Sequence, residues 1–171
     1  MIVYLSIPQC NAILCVMDLK VKPIVQEKEP VLRKRAAEVG AKEVGSGYVQ
    51  GLIDSMLATL AEEKMGAALA APQVGESVRL FVVSPEVLKK KAGDSSDEVQ
   101  PLVCINPEII KRSKEMRLLH EGCLSVRGWW GYIERHDKVT MRALDRKGRE
   151  FTRGASGLLA QIFQHEIDHL D

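Results

Sequence analysis

The sequence predicts an α+β fold, with antiparallel β-sheets packed around a C-terminal helix and an additional amphipathic helix nearer the N-terminus. Three observations carry that expectation. Val49, Leu52, Ile53, Met56, Leu57 and Leu60 recur at three- and four-residue spacings between about Tyr48 and Lys64, the period of one helix face. Short strand-like runs fill the middle of the chain, and the helical period returns from Ala155 to Leu170 through Leu158, Leu159, Ile162, Phe163, Glu166 and His169. A helix, several strands and a final helix, in that order, suit an antiparallel sheet with the last helix packed against it.

Residues 1–22 form a segment of unclear role. The stretch from Met1 to Met17 is fairly apolar, but it contains Pro8, Gln9 and Asn11 and lacks a basic start, so it reads as neither a signal peptide nor a membrane anchor. Residues 23–171 are expected to form one domain. After the first helix, Val78–Val83, Leu102–Ile105 and Lys138–Leu144 read as strands. Asp145-Arg146-Lys147-Gly148 supplies turn chemistry for a hairpin into Glu150–Arg153. The lysine-rich stretch from Ser84 to Gln100 reads as a solvated loop within the domain.

A chain of 171 residues is long enough to bury one hydrophobic core without disulfide staples. Lysine plus arginine number 24 against 23 aspartate plus glutamate, so no overall charge draws the protein to nucleic acid or to an anionic membrane. Cys10, Cys15, Cys104 and Cys123 form no Cys-x-x-Cys pair, which suits a reducing, cytoplasmic setting better than a disulfide framework.

His165-Glu166-Ile167-Asp168-His169 carries the chemistry. On a helix the four-residue step sets both imidazoles on one face, one turn apart, where they can share a metal ion. Glu166 then stands beside the first ligand, placed to act as a general base without binding the ion itself. The bland alternative, two ordinary polar histidines on a half-buried helix, leaves the whole pentad to chance. A catalytic site needs a third protein ligand and an open position. Asp168 faces away from the shared edge and is assigned to orienting a neighbour or to the surface.

Three segments, one of them holding the pentad, carry a resemblance. Glu121-Gly122-Cys123-Leu124-Ser125 resembles the cysteine motif of the peptide deformylase family, and Gln164 to Leu170 resembles its histidine motif. Gly66-Ala67-Ala68-Leu69-Ala70-Ala71-Pro72-Gln73 resembles its glycine motif. All three stand in the family's order, and the likeness runs from about Ile24 onward. It implies that Cys123, His165 and His169 hold one divalent metal ion, Fe²⁺ in the cell, although affinity order would let Zn²⁺, Ni²⁺ or Co²⁺ enter the isolated protein. It implies Glu166 as acid and base, with the Gln73 side-chain amide and the Leu124 backbone N–H serving the oxyanion. Glu121 and Arg135 match an ion pair that braces the cysteine strand.

The substrate implied is the formyl-Met N-terminus of nascent polypeptides in a bacterial-type cytoplasm, with the ribosome nearby and neither nucleic acid nor membrane as a direct partner. Oligomeric state is not readable. Gly66, Ala67 and Ala68 are small enough to let a substrate backbone lie close. The family usually has glycine where Ala68 stands, and the added methyl would either narrow the groove or forbid a positive φ. Leu158 and Ile162 share a helical face with His165, so they wall a methionine pocket or pack in the core. Cys104 reads as a buried core residue.

Two rival functions share parts of this pattern. A zinc endopeptidase shares H-E-x-x-H, but its extended form needs a histidine beyond the pentad, and the sequence has none after His169. A metal-stabilised, non-catalytic module binding nascent peptides would need neither Glu166 nor Gln73, since structural sites are closed by four protein ligands. With Asp171 placing negative charge at the wrong end of the helix dipole, the last turn is expected to be weakly held.

Overall fold

The structure, a computed structural model, describes residues 21–89 and 99–171. The apolar stretch from Met1 to Met17 and the centre of the expected polar loop lie outside the described residues. In chain order the elements are α1 (Gly47–Glu62), β1 (Ala68–Ala70), β2 (Leu80–Val83), α2 (Pro85–Leu88), β3 (Leu102–Arg112), β4 (Met116–Gly122), β5 (Trp130–His136), β6 (Lys138–Leu144), β7 (Glu150–Ser156) and α3 (Gly157–Asp168). Five strands form an antiparallel sheet in the order β1-β2-β3-β6-β7, and β4 and β5 pair as a separate two-stranded sheet.

The strand period of two explains how one sheet serves two helices. On β2, Leu80 and Val82 join the cluster that includes Val49, Leu52, Ile53, Met56 and Leu60 of α1, whereas Phe81 and Val83 join Ala160, Ile162, Phe163 and Ile167 of α3. All four β2 side chains are therefore buried, as expected for a central strand covered on both faces. β3 follows the same rule, with Val103 and Ile105 toward α1 and Cys104 toward α3. Ser46 caps α1, its hydroxyl accepting the Val49 N–H at 3.2 Å.

Two strand expectations need correction. The run expected to stop at Ile105 continues to Arg112, because Asn106-Pro107 forms a bulge rather than an end. The register shifts between Ile105 and Glu108, Asn106 adopts φ 50°, and its side chain both accepts from and donates to the Val39 backbone at 2.9 Å. The other correction is β4 and β5, which the hydrophobic pattern does not announce. One face mixes Leu119 and Ile133 with Glu121 and Arg135, and the other exposes Leu118, Trp130 and Tyr132, so no apolar alternation is legible.

The β4–β5 sheet docks on α3 through polar groups. Gln164 is buried, and its side-chain amide both accepts from the His136 N–H at 2.9 Å and donates to the His136 carbonyl at 3.0 Å. One glutamine thus replaces a neighbouring strand. The hairpin between β6 and β7 forms as expected, with Asp145 Oδ1 accepting the Lys147 and Arg149 N–H groups.

Candidate metal centre

Cys123 follows β4 directly, and His165 and His169 stand one turn apart at the end of α3. Their ligand atoms all lie within 4.8 Å of one another. Cys123 Sγ is 3.2 Å from His169 Nε2, and the two imidazole rings meet edge to face with centroids 5.1 Å apart. A thiolate and two imidazoles converging from separate elements are a donor set for a divalent ion of the zinc or ferrous type. The helix end that carries His169 is firmly held, contrary to the expectation of a loose last turn. Leu170 is fully buried, and its carbonyl accepts from Ala36 N–H at 2.9 Å and Arg79 Nη1 at 3.1 Å.

Glu121 organises the surroundings of His165. Its Oε2 accepts from His165 Nδ1 at 2.9 Å, which fixes the tautomer and turns Nε2 away from Glu121. Arg135 grips the same carboxylate with Nε and Nη2, each at 2.9 Å, and reaches Asp168 with Nη1 at 2.5 Å. Asp168 therefore braces Arg135 rather than the metal position. Burial pushes the Glu121 carboxyl up, but the His165 and Arg135 hydrogen bonds outweigh it and hold the group at about 2.

Burial likewise pushes the Cys123 thiol up, yet hydrogen bonds from His165 and His169 bring it down to about 6. Burial would lower His165, but its bonds to Cys123 and Glu121 raise it to about 10 without metal, so an arriving ion displaces the Nε2 proton and leaves the Nδ1–H tautomer that Glu121 holds. The sulfur thus readily becomes the thiolate that binds metal.

Glu166 is buried, and its Oε2 has no hydrogen-bond partner. Burial raises its pKa, the Cys123 and Glu121 charges add to the rise, and the two histidines oppose it. An unpartnered buried carboxylate oxygen beside a metal-binding triad is a group poised to take a proton. Gln73 is 2% exposed. Its Oε1 accepts the Ala70 N–H at 2.8 Å, so its NH₂ must point the other way, toward Ser125 Oγ at 3.3 Å and Cys123 Sγ at 3.5 Å. Ser125, unassigned by sequence, also lowers the Cys123 thiol through its backbone N–H.

A cavity of about 530 Å³ opens over these groups. Gln73, Cys123, Leu124, His165 and Glu166 line it, with Ala67 and Ala68 alongside. One bank continues through Glu63 and Met65, the other through Arg127, Trp129 and Trp130. Trp130 lies over Gly122, where a Cβ would sit 2.9 Å from the indole ring.

Three expected substrate-binding residues do not wall this cavity. Ile162 is buried in the core between α3 and the sheet, and Leu158 is 58% exposed outside it. Both share the histidine face in a helical projection, but that face packs on the sheet at Ile162 and stands open at Leu158. Gly66 is small for another reason as well: a Cβ there would meet Leu60 Cδ1 at 2.7 Å and Glu63 Cβ at 3.0 Å, so it closes the turn after α1. Ala68 lines the cavity, but the residue is also buried in the core cluster beneath α3.

The polypeptide deformylase family model matches residues 21–171. The peptide deformylase of Dehalococcoides mccartyi is 40% identical over 153 residues, spanning 90% of this chain and 83% of that protein. Among solved structures, the class I type b peptide deformylase of Acinetobacter baumannii with Met-Ala-Ser bound is 37% identical, covers 88% of this chain and 92% of its own, and superposes with a TM-score of 0.75. A peptide deformylase from Legionella pneumophila is 37% identical with a TM-score of 0.77, covering 88% of this chain and 80% of its own.

Proposed function

The chain belongs to the polypeptide deformylase family, and from that premise we propose which residues carry the removal of the formyl group from formyl-methionine N-termini. The observation that carries the reading is the convergence of Cys123, His165 and His169 within 4.8 Å, with the unpartnered Glu166 Oε2 beside them. Cys123 Sγ and one ring nitrogen of each histidine would hold the ion, Fe²⁺ in the cell by family resemblance. When bound, the ion supplies a Lewis acid that acidifies water and polarises a carbonyl.

The protein's own groups do the rest. Glu166 removes a proton from the attacking water as oxygen adds to the formyl carbon. It delivers that proton to the methionine nitrogen as the C–N bond breaks, leaving formate and a free amine. The Gln73 Nε2 donors and the Leu124 N–H serve the oxygen on which charge develops. Because Gln73 Oε1 is pinned by Ala70 N–H, these donors need no reorientation during the reaction. Glu121, held by Arg135, keeps His165 in the tautomer that presents Nε2.

The domain is assigned to residues 23–171. The substrate lies in the cavity between the Glu63–Met65 and Arg127–Trp130 banks, its backbone along Ala67 and Ala68. The Acinetobacter relative with Met-Ala-Ser bound supports a peptide there. The setting is the cytoplasm, close to ribosomes, where formyl-Met termini arise. Among the described residues no helix is long and apolar enough to cross a membrane.

The test is formate release from a formyl-Met peptide by anaerobically prepared protein, with metal analysis in parallel. Formate with an intact peptide is expected. Cleavage within the peptide would instead indicate an endopeptidase, and tight binding without turnover a non-catalytic module.

A further inference from the structure

Across the mouth of the cavity, two charged side chains join its banks. Arg127 donates from Nη2 to Glu63 Oε1 at 2.5 Å and from Nη1 to Glu63 Oε2 at 3.4 Å. Glu63 caps α1 at its C-terminal end, where the tight turn closed by Gly66 fixes it. Arg127 stands in the loop between Cys123 and β5, where the Val126 N–H bonds the Cys123 carbonyl at 3.0 Å and the Trp129 N–H bonds the Val126 carbonyl at 3.3 Å. Both residues line the cavity that also contains Cys123 and Glu166, yet they are 64 residues apart in sequence.

We propose that the Glu63–Arg127 pair is a specificity-determining clasp that favours an acidic side chain in the residues immediately after the formyl-methionine. The proposal rests on the deformylase reading above. A peptide with its formyl group at Glu166 must leave the cavity between the two banks, so its next side chains pass the clasp. The pair is lopsided in what it offers them. Both Glu63 carboxylate oxygens are engaged by Arg127 and the side chain is 22% exposed, whereas Arg127 is 57% exposed. A guanidinium carries five N–H donors, and among the described residues those of Arg127 that are bonded go to Glu63 alone. Its remaining donors face solvent at the mouth. The other charged rim residues, Glu62 and Lys64, are one of each sign and give no net bias.

Exposed ion pairs are weak and screened by water, so the selection is modest. It should appear as a roughly two- to five-fold lower KM for peptides with Glu rather than Lys after formyl-Met, with kcat unchanged because neither clasp residue touches the reacting atoms. Glu63 acts as a positioning residue, through Arg127.

The experiment compares KM and kcat for formyl-Met peptides carrying Glu, Gln or Lys at the second and third positions, using the metal-loaded enzyme at low and high salt. Arg127→Gln should invert the preference toward Lys, because Glu63 is left uncompensated. Glu63→Gln should strengthen the preference for Glu, because the guanidinium is. A structural defect would not move the two variants in opposite directions. High salt should flatten all three profiles. Equal KM values across the peptides in the wild-type enzyme, or a preference unchanged in Arg127→Gln, overturns the clasp while leaving deformylation intact. Absence of formate from every peptide overturns both readings.

Discussion

Removing the Glu121 carboxylate is expected to weaken metal binding although Glu121 is not a ligand. In the structure it accepts from His165 Nδ1 at 2.9 Å and receives two hydrogen bonds from Arg135, with both partners of the ion pair about a tenth exposed. In Glu121→Ala the imidazole of His165 loses the acceptor that fixes its tautomer and makes Nε2 a better donor. Outer groups of this kind are worth roughly 10- to 100-fold in metal affinity, or about 1.4–2.7 kcal/mol. Arg135 also keeps only Asp168, which is 61% exposed and screened by water. Breaking a buried ion pair costs about 3–5 kcal/mol, and the surviving contact places the loss of stability near the lower figure. Glu121→Gln retains one acceptor oxygen and should fall between wild type and alanine. Competition with a chromophoric chelator, at a temperature where circular dichroism shows both variants folded, measures the affinity. Wild-type affinity in Glu121→Ala would refute the role given to this carboxylate.

Other perturbations separate the roles further. Glu166→Gln should keep stoichiometric metal yet lose about 10²- to 10⁴-fold in kcat, the usual worth of a positioned acid–base group; metal analysis and formate release on one sample decide it. Ala68→Gly restores the family residue but strips a methyl from the core beneath α3, so denaturant unfolding should show a loss of about 1–2 kcal/mol from burial and strand entropy together. An unchanged midpoint would mean that the methyl belongs to the groove alone. Tyr48 is half exposed and donates to Glu76 Oε2 at 2.8 Å; partial burial of its hydroxyl, reinforced by Glu76, pushes it up to about 12. The stabilisation it gives is fully present below pH 10 and lost as pH rises through 12. Ultraviolet difference absorbance against Tyr48→Phe should show its ionisation in that interval, and ionisation at pH 10 would remove the assignment.

The histidine pentad was legible because a helix imposes one spacing on two ligands, and α1 because its apolar side is regular. Cys123 was legible only through its motif, since nothing in local periodicity says that the end of β4 faces α3. The clasp was not legible at all. Glu63 and Arg127 look like ordinary surface charges until the fold sets them across one cavity. For Leu158 and Ile162 the helical face alone left pocket wall and core packing open, and the fold places Ile162 in the core. The strand expected over Leu102–Ile105 runs further for a local reason: proline normally stops a central strand, but at Asn106-Pro107 the Val39 backbone bonds the asparagine side chain and carries the strand past it.

The division of the strands into two sheets with no shared ladder bears on how the protein breathes. The five-stranded sheet, α1 and α3 form a body with two apolar interfaces, whereas β4 and β5 are fastened to it by Gln164, the Glu121–Arg135–Asp168 group and the bond from Gln161 to the His120 carbonyl. Such a leaf can open as a local cooperative unit, at lower free energy than global unfolding. Cys123 sits at the leaf's edge and both histidines belong to the body, so an ion held by all three adds a rivet to the hydrogen bonds that already join the two units. Amides of 116–136 should then exchange together, faster than those of β2, and slow in step as the ion binds.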